Sequence, residues 1–280
     1  MKTLLVPVDL NATSVNTVRF AAAWAAHYDY KRIILLKTFY DNIFSHIVVS
    51  AEYGAVNQDF MLTHRDEAMA QLQALAETIT TATGNAVSVV IATSEAPLLR
   101  AVMETISEEA PEMVLLGSNP AESDSLVYRN IIPIAKASPV RVMVVPATYA
   151  YQPVDKALVP CDFQAMHELD KLNKLKASPR WADTRLLVLN VDPEEHYLHP
   201  DEEFKQVEAD LHTYLKNFSH ELFYRNDKDT IGSIIDFANA NEVKLIIALP
   251  GKHSFLYTLT HKSISEAIYR AAAVPVVILK

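Results

Sequence analysis

The chain has 280 residues, half of them apolar and 21% charged, and its 34 Asp+Glu against 25 Lys+Arg give a net charge of −9. That composition belongs to a globular protein rather than a disordered one, and about 280 residues is large for one domain and natural for two of about 140. One cysteine, no run of about 18 apolar residues and an acidic balance without a basic block exclude a disulfide framework, a transmembrane helix and a nucleic-acid partner.

Short runs rich in Val, Ile and Leu, mostly without polar alternation, read as parallel strands buried on both faces. In chain order they are Thr3–Val8, Arg32–Thr38, Ala86–Ala92, Glu112–Gly117 and Val140–Val145, with helices over Thr13–Tyr28, Asp59–Thr80 and Ser94–Glu109 between them. Thr13 or Ser14 is the expected N-cap of the first helix, and Pro97 falls in the first turn of the third. Tyr149–Pro153 reads as a linker. Beyond it, strands are expected at Lys156–Pro160, Arg185–Val191, Glu221–Arg225, Lys244–Leu249 and Pro275–Leu279. Helices there centre on Leu169–Leu175, Phe204–Phe218, Thr230–Asn241 and Ser263–Ala273. Strands alternating with helices imply open parallel sheets with right-handed crossovers.

The two halves repeat. Apolar-Pro-x-Asp closes the first strand of each, at Pro7-Val8-Asp9 and Pro160-Cys161-Asp162, an offset of 162 − 9 = 153. The closing runs after Pro139 and Pro275 align at 275 − 139 = 136. The first copy carries an apolar insertion, Asn42–Asp59, and a shorter loop between its last two strands. The domains expected from this are 1–147 and 153–280. The five glycines, Gly54, Gly84, Gly117, Gly232 and Gly251, stand alone, so neither a dinucleotide fingerprint nor a Walker-type loop is present.

A five-strand α/β unit that opens with apolar-Pro-x-Asp and closes with Pro-Val-apolar, present twice, resembles the universal stress protein family. The resemblance implies two tandem doubly wound five-stranded parallel-sheet domains of the adenine-nucleotide α-hydrolase-like class. It implies an intrachain pseudo-dimer, open to further homodimerisation. It also implies ATP at the carboxyl ends of the strands, with the Asp after strand one on the adenosine, the end of strand two beside the adenine, and a Gly-x2-Gly-x9-Gly-Ser/Thr loop around the phosphates. Carried over, the first copy's positions are Pro7, Val8, Asp9, Thr38 and Gly117. Those of the second are Pro160, Cys161, Asp162, Val191, Leu249, Gly251, Lys252, Lys262 and Ser263.

The loop departs from the family pattern in both copies. In the first, only Gly117 survives; counting back from Pro139 puts the third glycine on Leu126 and the Ser/Thr on Val127, and Glu122 and Asp124 repel phosphate. The second loop has full length and keeps Ser263, and Lys252, His253, His261 and Lys262 make it basic, but no family glycine remains in it. Asp9 and Asp162 read equally as ligand contacts or as turn residues capping the next helix. Cys161 reads as a buried structural thiol, and His196 and His199 as parts of a solvated, acidic loop rather than metal ligands.

The expected function is a non-enzymatic, cytoplasmic stress-response protein. It would act by binding a ligand or a protein partner, with ATP, another adenine nucleotide or a small phosphorylated ligand in the second domain. The rival is an ATP-binding regulator or weak ATPase that uses that domain. A redox or nucleotide-transferring enzyme finds no support, since Leu10-Asn11-Ala12-Thr13 after strand one lacks glycine.

Overall fold

The run Thr3–Pro7 forms strand β1, buried along its whole length because both faces of the sheet are covered. Around it lie β2 (Arg32–Thr38), β3 (Ser88–Ser94), β4 (Met113–Ser118) and β5 (Arg141–Pro146), all parallel, in the lateral order β3-β2-β1-β4-β5. The register sets Leu4 beside both Ile33 and Met113. Helices α1 (Ala12–His27), α2 (Gly54–Ala82), α3 (Leu98–Glu109) and α4 (Leu126–Ala137) supply the crossovers. The computed structural model describes residues 1–40, 54–161, 169, 171–172, 175, 179–249 and 273–280, with the backbone alone at 54–61 and 179.

These elements make up one of two compact units, Met1–Tyr151, the other being Gln152–Lys280. The second unit has β6 (Lys156–Pro160), β7 (Arg185–Val191), β8 (His220–Arg225), β9 (Leu245–Ala248) and β10 (Val276–Ile278), again parallel. Its order, β8-β7-β6-β9-β10, repeats that of the first. Helices α5 (Glu202–Leu215) and α6 (Thr230–Ala240) are described in it. Leu169, Leu172 and Leu175 are buried, as a core-facing helical stripe requires. The rest of the helix expected at Leu169–Leu175, and that at Ser263–Ala273 apart from its last residue, lie outside the described residues.

Several boundaries differ from the sequence reading for local reasons. Asn11, not Thr13 or Ser14, caps α1, its side chain accepting from Ser14 N. Strand β3 starts at Ser88 rather than Ala86, because Gly84 (φ 56°) and Asn85 (φ 65°) spend the preceding residues on a left-handed turn. Helix α3 starts at Leu98, since Pro97 holds the extended N-cap position and β3 runs on through Ser94. Helix α2 begins at Gly54, so the end of the insertion joins it, while residues 42–53 lie outside the described residues.

Helix α1 also fixes the segment that leaves the first unit. Phe20, Trp24 and Tyr28 recur every four residues on one face and are buried. Trp24 lies 4.2 Å from Tyr28 and 5.8 Å from Phe20, centroid to centroid. Tyr151 meets Phe20 edge-on at 5.5 Å, and the Asn16 amide donates to Pro146 O (3.3 Å) and Tyr149 O (3.1 Å). Residues 146–151 are thereby strapped along the helix. Truncating Trp24 to alanine removes the middle of this ladder. It is expected to cost about 3–5 kcal/mol in urea unfolding at unchanged m-value.

Candidate functional site

In an open parallel sheet the ligand crevice lies beyond the carboxyl ends of the strands, where the lateral order reverses. In the first unit that point falls between β1 and β4. Val8 extends the ladder by donating to Leu36 O (2.9 Å), and the chain then turns through Asp9 and Leu10, the latter at φ 66°. Ser14 Oγ accepts from both turn amides, Asp9 N at 2.9 Å and Leu10 N at 3.1 Å, and donates to Asn11 Oδ1. The start of α1 is thus locked to the end of β1.

Gly117 stands on β4 facing α1. A Cβ there would clash with Thr17 Oγ1 and come within 2.7 Å of Thr13 Cγ2. Thr17 cannot swing away cheaply, because its hydroxyl donates to Thr13 O at 2.7 Å. The close approach of helix to strand is therefore a sufficient reason for glycine at this position.

The segment after β4 folds onto itself. Asn119 Oδ1 accepts from Ala121 N and Asn119 O from Glu122 N, and Glu122 O accepts from Ser125 N. Ser125 caps α4, taking Tyr128 N on its side chain and Arg129 N on its carbonyl. Val127 N donates to Asp9 Oδ2 at 2.8 Å, across 118 positions of sequence. Asn11 Nδ2 donates to Glu122 Oε2 at 2.6 Å. Helix N-terminal amides are the usual anion donors, and here Val127, Tyr128 and Arg129 are already accepted within the chain. What remains is a cleft of about 10 Å³, room for about one water molecule.

The rim of the second unit is described in part. Cys161 is buried and continues β6, donating to Leu189 O, and Asn190 Nδ2 donates to Cys161 O at 3.1 Å. Beyond β7 the chain makes a tight loop on Asp192. Its carboxylate accepts from Glu194 N (3.0 Å) and His196 N (2.7 Å) and lies 3.2 Å from His196 Nδ1. Burial acts against the Asp192 carboxylate, but the His196 ring and the two backbone N–H groups outweigh it and hold the carboxyl below its usual range. Tyr197 in this loop stacks on Tyr224 of β8 at 5.1 Å, with Phe204 packed at 5.8 Å. Burial pushes the Tyr224 phenol well up, with Glu208 and Cys161 adding to the effect.

No family model and no curated protein matches the sequence. Solved structures do. A universal stress protein from Archaeoglobus fulgidus superposes over 99% of this chain and 98% of its own, at TM-score 0.67 and 14% identity. The chain has the universal stress protein fold. A functionally unknown protein from Pseudomonas aeruginosa PAO1 superposes over 100% of this chain and 92% of its own, at TM-score 0.55 and 13% identity. A universal stress protein in complex with cAMP covers 52% of this chain at TM-score 0.36 and 18% identity, a likeness too weak to bear on ligands here.

Within this universal stress fold the residues singled out from sequence separate. Pro7, Asp9 and Gly117 line the first cleft together with Asn11, Thr13 and Glu122. Val8 and Thr38 are buried and do not line it. In the second unit Pro160, Cys161 and Leu249 are buried at the strand ends and Val191 is half-buried. Asp162, Gly251, Lys252, Lys262 and Ser263 lie outside the described residues. Thr13 and Thr17 were missed, although their four-residue spacing puts both on one helix face. Ser125 was missed too, although its spacing to Tyr128 is that of a cap.

Two measurements follow. Gly117→Ala overpacks the α1–β4 contact and is expected to cost about 1–3 kcal/mol. Thr17→Ala in the same background should recover part of that loss in a double-mutant cycle. For Asp192, a folded pKa held below the unfolded value near 3.9 means stability present above about pH 4 and lost on further acidification. The melting difference between the wild type and Asp192→Asn should therefore be constant from pH 7 to about 5 and shrink below about pH 4.

Proposed function

We propose that the chain is a non-catalytic ligand-binding protein of the universal stress class, in which the second unit takes an adenine nucleotide and the first does not. One observation carries this reading. At the order reversal of the first unit, the donors that would meet phosphate are accepted by Asp9, Asn119, Glu122 and Ser125. The second loop differs in sequence, keeping the full family length, Ser263, and the basic residues Lys252, His253, His261 and Lys262. Cationic side chains and a hydroxyl favour phosphate oxygens, which supports nucleotide binding there. Asp162 then takes the adenosine side, and Val191 and Leu249 flank the base.

Isothermal titration of the full chain with Mg-ATP tests this. One site per chain is expected. Asp162→Ala and Lys262→Ala should each weaken it about tenfold or more, and Ser263→Ala less, while Glu122→Gln leaves it unchanged. Binding insensitive to all three second-unit variants, or abolished by Glu122→Gln, contradicts the assignment.

A further inference from the structure

The cleft of the first unit is closed to anions, yet its lining is not that of an empty space. Asp9 and Glu122 line it, each committing one carboxylate oxygen to an internal donor: Asp9 Oδ2 to Val127 N and Glu122 Oε2 to Asn11 Nδ2. Each keeps a second oxygen. No lysine, arginine or histidine lines the cleft. Thr13, also in the lining, is 7% exposed, and among the described residues its Oγ1 has no hydrogen-bond partner. A buried hydroxyl without a partner costs free energy unless something occupies the space before it.

We propose that this cleft holds one monovalent cation of water size, an ammonium or potassium ion, on Asp9, Glu122 and Thr13. Three constraints select that class. The free volume of about 10 Å³ admits one water-sized guest and no organic amine. Two half-buried carboxylates without a cation in the lining favour a positive guest over a neutral water, since enclosed charges seek a counter-charge. Magnesium demands near-ideal octahedral oxygens, and among the described residues no group of three Asp, Glu, His or Cys could hold a metal ion. The proposal is independent of nucleotide binding in the second unit.

The test compares thermal unfolding of the full chain in ammonium, potassium, sodium and choline chlorides at equal concentration, about 100 mM, so that ionic strength is constant. Ammonium or potassium should raise the melting temperature over choline, saturably, by about 2–4 °C. Asp9→Asn keeps an acceptor for Val127 N, and Glu122→Gln keeps one for Asn11. Each variant should abolish the ammonium or potassium increment, read against its own choline baseline so that a change in intrinsic stability cancels. Equal melting in all four salts would mean that the cleft holds only water and would overturn the proposal. An increment that survives both variants would place the cation elsewhere and also overturn it.

Discussion

The hydrogen bond from Val127 N–H to the Asp9 carboxylate organises the carboxyl edge of the first unit. It joins the turn after β1 to the first turn of α4, so that two loops far apart in sequence close on each other. Its strength has a simple source: a carboxylate at a helix N-terminus meets both an unpaired donor and the positive end of the helix dipole. Asn11 and Glu122 repeat the arrangement a turn away, tying the cap of α1 to the loop after β4. Once these bonds form, an incoming phosphate finds an acidic wall and amides already engaged.

The same edge explains the two copies' divergence. A phosphate-wrapping loop needs length and glycines, because backbone N–H groups must turn inward around the anion. The first copy has lost length there and filled the space with its own side chains. Its one remaining glycine at the site is accounted for by helix packing, since Thr13 and Thr17 leave no room for a Cβ. The second copy has Leu249 where the first has Gly117, and Leu249 is buried. Chemistry suited to anions survives in its sequence at Lys252, Lys262 and Ser263.

Much of the fold was legible because its determinants are local. Runs such as Ile33–Leu36 and Val142–Val145 can only be strands covered on both faces, and the recurring Pro-x-Asp exposed the duplication. Boundaries failed where one residue type had competing uses. Asn11, Thr13 and Ser14 can all cap a helix, and only the turn at Leu10 decides that Asn11 does. The site was less legible because its contacts are distant. The alternatives for Asp9 were a ligand contact or a cap on the following helix; in the structure it caps α4, a pairing across 118 positions that no local pattern encodes. Gly117 matched a nucleotide motif by position, but its packing reason appears only when α1 is laid against β4.

Amide hydrogen exchange at Val127, followed by NMR in the full chain and in Asp9→Ala, tests the central claim most directly. The account predicts a protected Val127 amide in the wild type and exchange at least about tenfold faster in the variant, with Ile134 unchanged as a reference deeper in α4. A Val127 amide that exchanges at the unprotected rate in the wild type, or equally fast in both proteins, would show that Asp9 does not close this edge.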